Sequence, residues 1–132
     1  MKKGFIGLLV ALVFLLGACT KGYWVMSKKD LDKEPGVRAY VKELQKEKTE
    51  QKGFKLFSIS QNRNMVVVST GTPTKELEVI EVQVLEDQTI VTVKEIEADS
   101  DETNPYILIG LDEKKGSMRV INEEGDEYEI DF

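Results

Sequence analysis

One cysteine, Cys19, and no histidine set the chemical range of this 132-residue chain. Without imidazole there is no Ser-His-Asp or Cys-His relay, no histidine-ligated metal and no ordinary switch near neutral pH. Ser58, Ser60 and Ser69 stand in no motif that would supply an activating base. The adjacent carboxylates Glu86/Asp87 and Glu123/Glu124 fall in turn-forming sequence, where they are solvated. Glycoside hydrolysis instead needs two carboxyls facing each other across a cleft. Asp99-Ser100-Asp101-Glu102-Thr103-Asn104 sets oxygen ligands at alternate positions, yet the sixth residue is Asn104 and the twelfth is Gly110. An EF-hand needs Gly and Glu there, so the run reads as a solvated acidic loop, with a weak cation site of another type as the alternative. Gly-rich phosphate loops are absent. The expectation is a non-catalytic chain with no metal ligands and no cofactor. A carboxylate hydrolase is the remote alternative, and it would need a perturbed carboxylate in an apolar cleft.

Cys19 itself has a defined context. Lys2 and Lys3 precede an apolar run from Phe5 to Leu16, broken only by Gly7, and Leu16-Gly17-Ala18-Cys19 follows. The run is short of the roughly 20 apolar residues of a spanning helix and has the layout of an export signal. Its last four residues resemble the bacterial lipobox. The resemblance implies cleavage between Ala18 and Cys19 and a diacylglyceryl group on the Cys19 sulfur. Each buried methylene of such a lipid contributes about 0.8 kcal/mol, and two chains hold where one does so only marginally. The expected organisation is a signal peptide over 1–18, a lipidated, membrane-proximal segment over 19–34, and one domain over 35–132. The expected location is the extracytoplasmic face of a bacterial cell membrane, with the bilayer as a partner through Cys19.

The whole chain carries a net charge of −6, unevenly placed. Residues 20–55 hold ten Lys/Arg and six Asp/Glu, whereas residues 56–132 hold six and eighteen. An acidic domain excludes a nucleic-acid phosphate backbone as partner. The basic segment has two readings: contact with anionic headgroups, or plain solvation of a linker and helix.

Elements follow from periodicity. Val37, Tyr40, Val41 and Leu44 form one apolar stripe in a helix expected over Pro35–Lys52, with Pro35 in the first turn and Gly53 just past the end. From Phe54 the period becomes two. Strands are expected at Phe54–Ile59, Met65–Thr70, Leu77–Leu85 (with Ile80, Val82 and Val84 on one face), Thr89–Ile96, Tyr106–Leu111, Ser117–Ile121 and Glu127–Phe132. Tyr23-Trp24-Val25-Met26 is either a short first strand or an aromatic anchor at the bilayer interface. The fold class is mainly β with one N-terminal amphipathic helix, an antiparallel sandwich or barrel.

In order, Tyr23-Trp24-Val25-Met26, the helix near Val37–Leu44, Gly53-Phe54, Val66-Val67-Val68-Ser69-Thr70-Gly71-Thr72-Pro73-Thr74, Ile90–Glu95 and Asn104-Pro105-Tyr106-Ile107-Leu108-Ile109 resemble the protease-complex-subunit (PrcB-type) family of small exported lipoproteins. The resemblance runs from about Tyr23 to Leu111. It implies a β-rich accessory module associated with an exported protease. That family continues its Pro-Thr into Gly-Gly-Tyr and has Tyr-Pro-Tyr where this chain has Asn104-Pro105-Tyr106; here Lys75-Glu76-Leu77 follows Thr74. Independently, Thr72, Pro73 and Thr74 join two strands with a stiffened, uncharged, hydrogen-bonding loop, either a partner surface or simply a turn. The second functional reading is a structural or stress-related envelope lipoprotein acting at the membrane surface or wall.

Overall fold

The computed structural model describes residues 22–60 and 63–131. Strand β1 (Tyr23–Val25) leads into a 3-10 helix (Lys28–Lys33), then helix α1 (Pro35–Lys46). Seven strands follow: β2 (Lys52–Ser60), β3 (Arg63–Thr70), β4 (Lys75–Val84), β5 (Gln88–Glu97), β6 (Tyr106–Leu111), β7 (Ser117–Asn122) and β8 (Glu127–Ile130). They form one sheet in the order β1-β6-β3-β2-β8-β7-β5-β4. The sheet curls into a nearly closed barrel.

Alternating residues of the strands fill its interior. Phe54, Val66, Val68, Val91, Val93, Ile107, Ile109, Leu111, Val120 and Tyr128 are buried together there. A second apolar layer lies outside. The α1 stripe Val37, Tyr40, Val41 and Leu44 packs on Met65, Val67, Tyr106 and Leu108, the outward phase of β3 and β6. Buried on both faces, β3 and β6 read as nearly continuous apolar runs, whereas β4 and β5 alternate.

Four expectations change. The helix stops at Lys46, not Lys52, with the Glu47 N–H closing on the Glu43 carbonyl. No apolar residue after Leu44 gives a further turn anything to bury, and the sheet claims Lys52-Gly53 by pairing them with Thr70 and Ser69. Gly53 is therefore no helix cap; it lies inside a strand, where a Cβ would come within 2.5 Å of the Glu129 carbonyl oxygen. The sheet is mixed, not wholly antiparallel: β2 runs parallel to β8 and β5 parallel to β7. Hairpins are local and visible in sequence, whereas these pairs join strands brought together by long connections. Finally, a bulge between Val79 and Glu81 turns Ile80 out of the face it was expected to share with Val82 and Val84, leaving it 47% exposed.

Tyr23–Val25 is a strand. It pairs antiparallel with Leu111–Ile109, and the Trp24 ring lies flat against Gly110, where a Cβ would fall 2.1 Å from it. Strand β4 ends the sheet on the other side, with Glu76, Glu78 and Glu81 exposed along its outer face.

Candidate functional site

Register divides the barrel into two ends. Thr70 pairs with Lys52, Ser69 with Tyr106, and Lys75 with Glu97, which gathers the loop at 71–74, the acidic loop at 98–105 and the β7–β8 turn at one end. Tyr23, Asn64 and Leu111 lie level at the other, beside the segment Asp112–Gly116.

At the first end, the loop Gly71–Thr74 is fixed from both sides. Gly71 has φ +78°, a left-handed conformation that suits glycine, and its N–H donates to Asn104 Oδ1 at 2.8 Å. Thr70 Oγ1 donates to the Thr72 carbonyl (2.7 Å), the Thr74 N–H reaches Thr72 Oγ1 (3.3 Å), and the two hydroxyls of Thr72 and Thr74 lie 3.0 Å apart. The acidic loop docks alongside through Ser100 N–H to Pro73 O and Ala98 N–H to Thr74 O, both 3.0 Å. Pro73 and Thr74 are exposed and Thr72 is half-buried. The three expected loop residues thus form one surface, although part of the threonine hydrogen bonding is spent within the turn.

Asn104 is the splice behind this surface and is fully buried. Its Nδ2 donates to the carbonyls of Lys48 (2.9 Å) and Gln51 (3.0 Å), while its backbone N–H and C=O are met by the Gln45 amide at 2.9 and 2.6 Å. One amide therefore ties the end of α1, the 71–74 loop and the acidic loop together. Of the acidic loop's carboxylates, Glu102 accepts from Lys28 Nζ at 2.6 Å, and Lys28 also lies over the Tyr106 ring. No cluster of three or more His, Cys, Asp or Glu suited to a metal is found among the described residues. The Lys28 contacts also place the basic 3-10 helix at this loop end.

Beneath the loops lies a cluster that sequence reading missed. Lys52, Lys75, Glu95, Asn122 and Tyr128 come from five strands and share the inward phase of Phe54, Leu77, Val93, Val120 and the core. The Glu95 carboxylate, 12% exposed, accepts from the Tyr128 hydroxyl, Asn122 Nδ2 (3.3 Å) and Lys75 Nζ (3.3 Å), and pairs with Lys52 Nζ (3.3 Å). Burial alone would raise its pKa, but the hydrogen bonds from Tyr128, Asn122 and Lys75 and the charge of Lys52 outweigh burial and hold it at about 2. Burial and the Glu95 bond push the Tyr128 hydroxyl far above its ordinary value. At neutral pH Glu95 has no proton to give and Tyr128 none to release. The cluster is an ionic plug in the mouth of the barrel. Glu95 in step with Val91 and Val93 was the available signal.

A smaller clamp lies outside the barrel. Asp131 accepts from Tyr40 Oη at 2.8 Å and Lys48 Nζ at 3.0 Å. Burial opposes its ionisation, and the Tyr40 and Lys48 bonds and the nearby Lys55 charge override it, so its pKa is lowered.

The second end is open. Leu56, Asn64, Asp112, Glu113 and Lys114 line a groove of about 710 Å³. Along the barrel wall, β8 stops after four residues against nine in β2, leaving a second groove of about 530 Å³ lined by Phe54, Met118, Arg119, Glu127, Tyr128, Glu129 and Ile130.

Ala18 and Cys19, the expected cleavage and lipidation positions, lie outside the described residues. Among the described residues no helix is long and apolar enough to cross a membrane. No family model matches the chain. No solved structure matches it either. It is 39% identical over 125 residues to the uncharacterized protein YycS of Bacillus subtilis (strain 168), a match covering 92% of this chain and 90% of that protein. At that identity and extent, the chain belongs to the same family as YycS.

Proposed function

We propose that this protein is a lipid-anchored, extracytoplasmic lipoprotein that acts as a non-catalytic binding or accessory module, with an exported protease as the partner class suggested by the PrcB-type resemblance. The anchor reading rests on Lys2, Lys3, the apolar run and Leu16-Gly17-Ala18-Cys19. The observation that carries the binding reading is the built loop Thr72-Pro73-Thr74. A surface braced by a buried Asn104 and a docked neighbouring loop loses little entropy when a partner orders it. The carboxylates with lowered pKa, Glu95 and Asp131, are saturated by donors and support no acid–base role.

The test is crosslinking and pull-down from intact cells with full-length protein, beside a Cys19→Ala variant and a Thr72→Ala/Pro73→Ala/Thr74→Ala variant. The expected result is one dominant exported partner, lost from the loop variant while that variant stays folded. Recovery of only lipid or wall polymer would favour the envelope reading instead.

A further inference from the structure

We infer that the open end of the barrel, at Arg63 and Asp112–Lys114, is the surface that faces the bilayer, and that the Thr72–Thr74 end points away from it. The inference rests on the lipid-anchor reading above and adds to it the face presented to the lipid.

The ground is where the chain enters the fold. The Gly22 carbonyl accepts from the Asp112 N–H at 2.8 Å, and Tyr23 pairs with Leu111. The chain therefore joins the sheet at the open end and climbs toward the loop end, where Met26 N–H reaches Leu108 O. Two residues, Thr20 and Lys21, lie between Cys19 and Gly22, and three steps of at most about 3.6 Å give a reach of at most about 11 Å. Strand β3 spans the barrel from Asn64, level with Tyr23, to Thr70. Six rises of about 3.3 Å at the usual barrel tilt make roughly 15 Å along the barrel axis, still beyond the tether. A molecule held by Cys19 cannot turn its loop end onto the lipid, because the entry point would then stand farther from the bilayer than the tether reaches.

Two further observations agree. Lys28, Lys48 and Lys52 of the basic segment, which sequence reading offered as a lipid contact, lie at the far end, where Lys28 is committed to Glu102 and Tyr106. At the open end the charges pair locally, Arg63 with Asp112 at 3.3 Å and Lys115 with Glu113 at 3.7 Å. That end is neither strongly drawn to nor strongly repelled by anionic headgroups, so orientation comes from tether length and is insensitive to salt.

The experiment uses the full-length lipidated protein in vesicles of phosphatidylethanolamine and phosphatidylglycerol. Environment-sensitive probes are placed through Glu113→Cys at the open end and Glu124→Cys in the β7–β8 turn, both exposed positions, with a quencher on the lipid headgroups. The expected result is several-fold stronger quenching at 113 than at 124, unchanged between low and high salt. A flexible Gly-Ser insert of about ten residues after Thr20 should bring the ratio toward one. With the lipid on Cys19 verified by mass spectrometry, equal or reversed quenching overturns the orientation, as does a ratio that survives the insert. Absence of lipid on Cys19 overturns the anchor reading itself.

Discussion

The two ends of this barrel are finished by different means. At the loop end, five inward side chains from five strands meet in an ionic knot around Glu95, and one buried amide, Asn104, sews three loops over it. At the opposite end the core simply runs out: Leu56 is half-covered, a groove opens beside Asn64, and the ion pairs present are exposed. Charges cost most where they are buried and gain most where every lone pair is met. A saturated plug can therefore close one mouth rigidly. Exposed pairs such as Arg63–Asp112 close nothing, and Trp24 lies across Gly110 on the outer face of the sheet beside this end, in the layer shared with α1.

That contrast is open to breaking from either side. The largest loss is expected from Asn104→Ala, which strands the Gly71 N–H and removes one of the two donors from each of the Lys48 and Gln51 carbonyls, leaving them the Gln51 N–H and Ser69 Oγ. One unmet buried group costs about 1–3 kcal/mol and each lost hydrogen bond about 0.5–1.5 kcal/mol, so a total near 3 kcal/mol is expected in urea unfolding, with the 71–74 loop gaining fast amide exchange. A cost under about 1 kcal/mol would mean that the loops hold without their splice.

Glu95→Gln comes next, at about 2 kcal/mol at neutral pH, because Lys52 and Lys75 then face a neutral amide. The sign follows from the pKa. Glu95 ionises at about 2 in the folded chain against an ordinary 4.5. Its contribution is thus complete above about pH 4.5 and is lost as the pH falls toward 2. Unfolding of the parent and variant chains should converge in that window, and parallel curves throughout would sink the plug assignment.

Gly110→Ala tests the outer layer beside the open end. A Cβ 2.1 Å from the indole must displace Trp24, at a cost of about 1–3 kcal/mol and with a red shift of tryptophan emission. Smallest of all is Arg63→Ala. Its pair with Asp112 is half-exposed on both sides, and the change should stay within about 1 kcal/mol and fade further in salt. A larger effect would place part of the barrel's stability at the end described as open.

Sequence made the elements legible where burial imposes a period. The α1 stripe from Val37 to Leu44 and the strands around Val66–Val68, Val91–Val93 and Ile107–Ile109 follow directly from alternating or continuous apolar runs. Four things escaped it for separate reasons. Ile80 looks like an inward residue because a bulge leaves no mark in composition. The parallel neighbours of β2 and β5 depend on distant chain segments, about which local turns say nothing. Glu95 was readable, being in step with Val91 and Val93, but its meaning needed Lys52, Lys75, Asn122 and Tyr128, which only closure of the sheet brings together. The loop at Thr72–Thr74 was visible as a loop, and its rigidity was not, since Asn104 lies some thirty residues away.

Strand β4 carries a consequence of another kind. Its outer hydrogen-bonding edge has no ladder partner among the described residues, and a bare edge invites a second copy to add its own strand. Glu76, Glu78 and Glu81 face outward along that strand, and the bulge at Ile80 twists it midway. Two such edges brought together would set rows of like charge side by side over mismatched backbones. Pairing of two copies through this edge is therefore opposed by like charge and by the twist, where a neutral, straight edge would invite it.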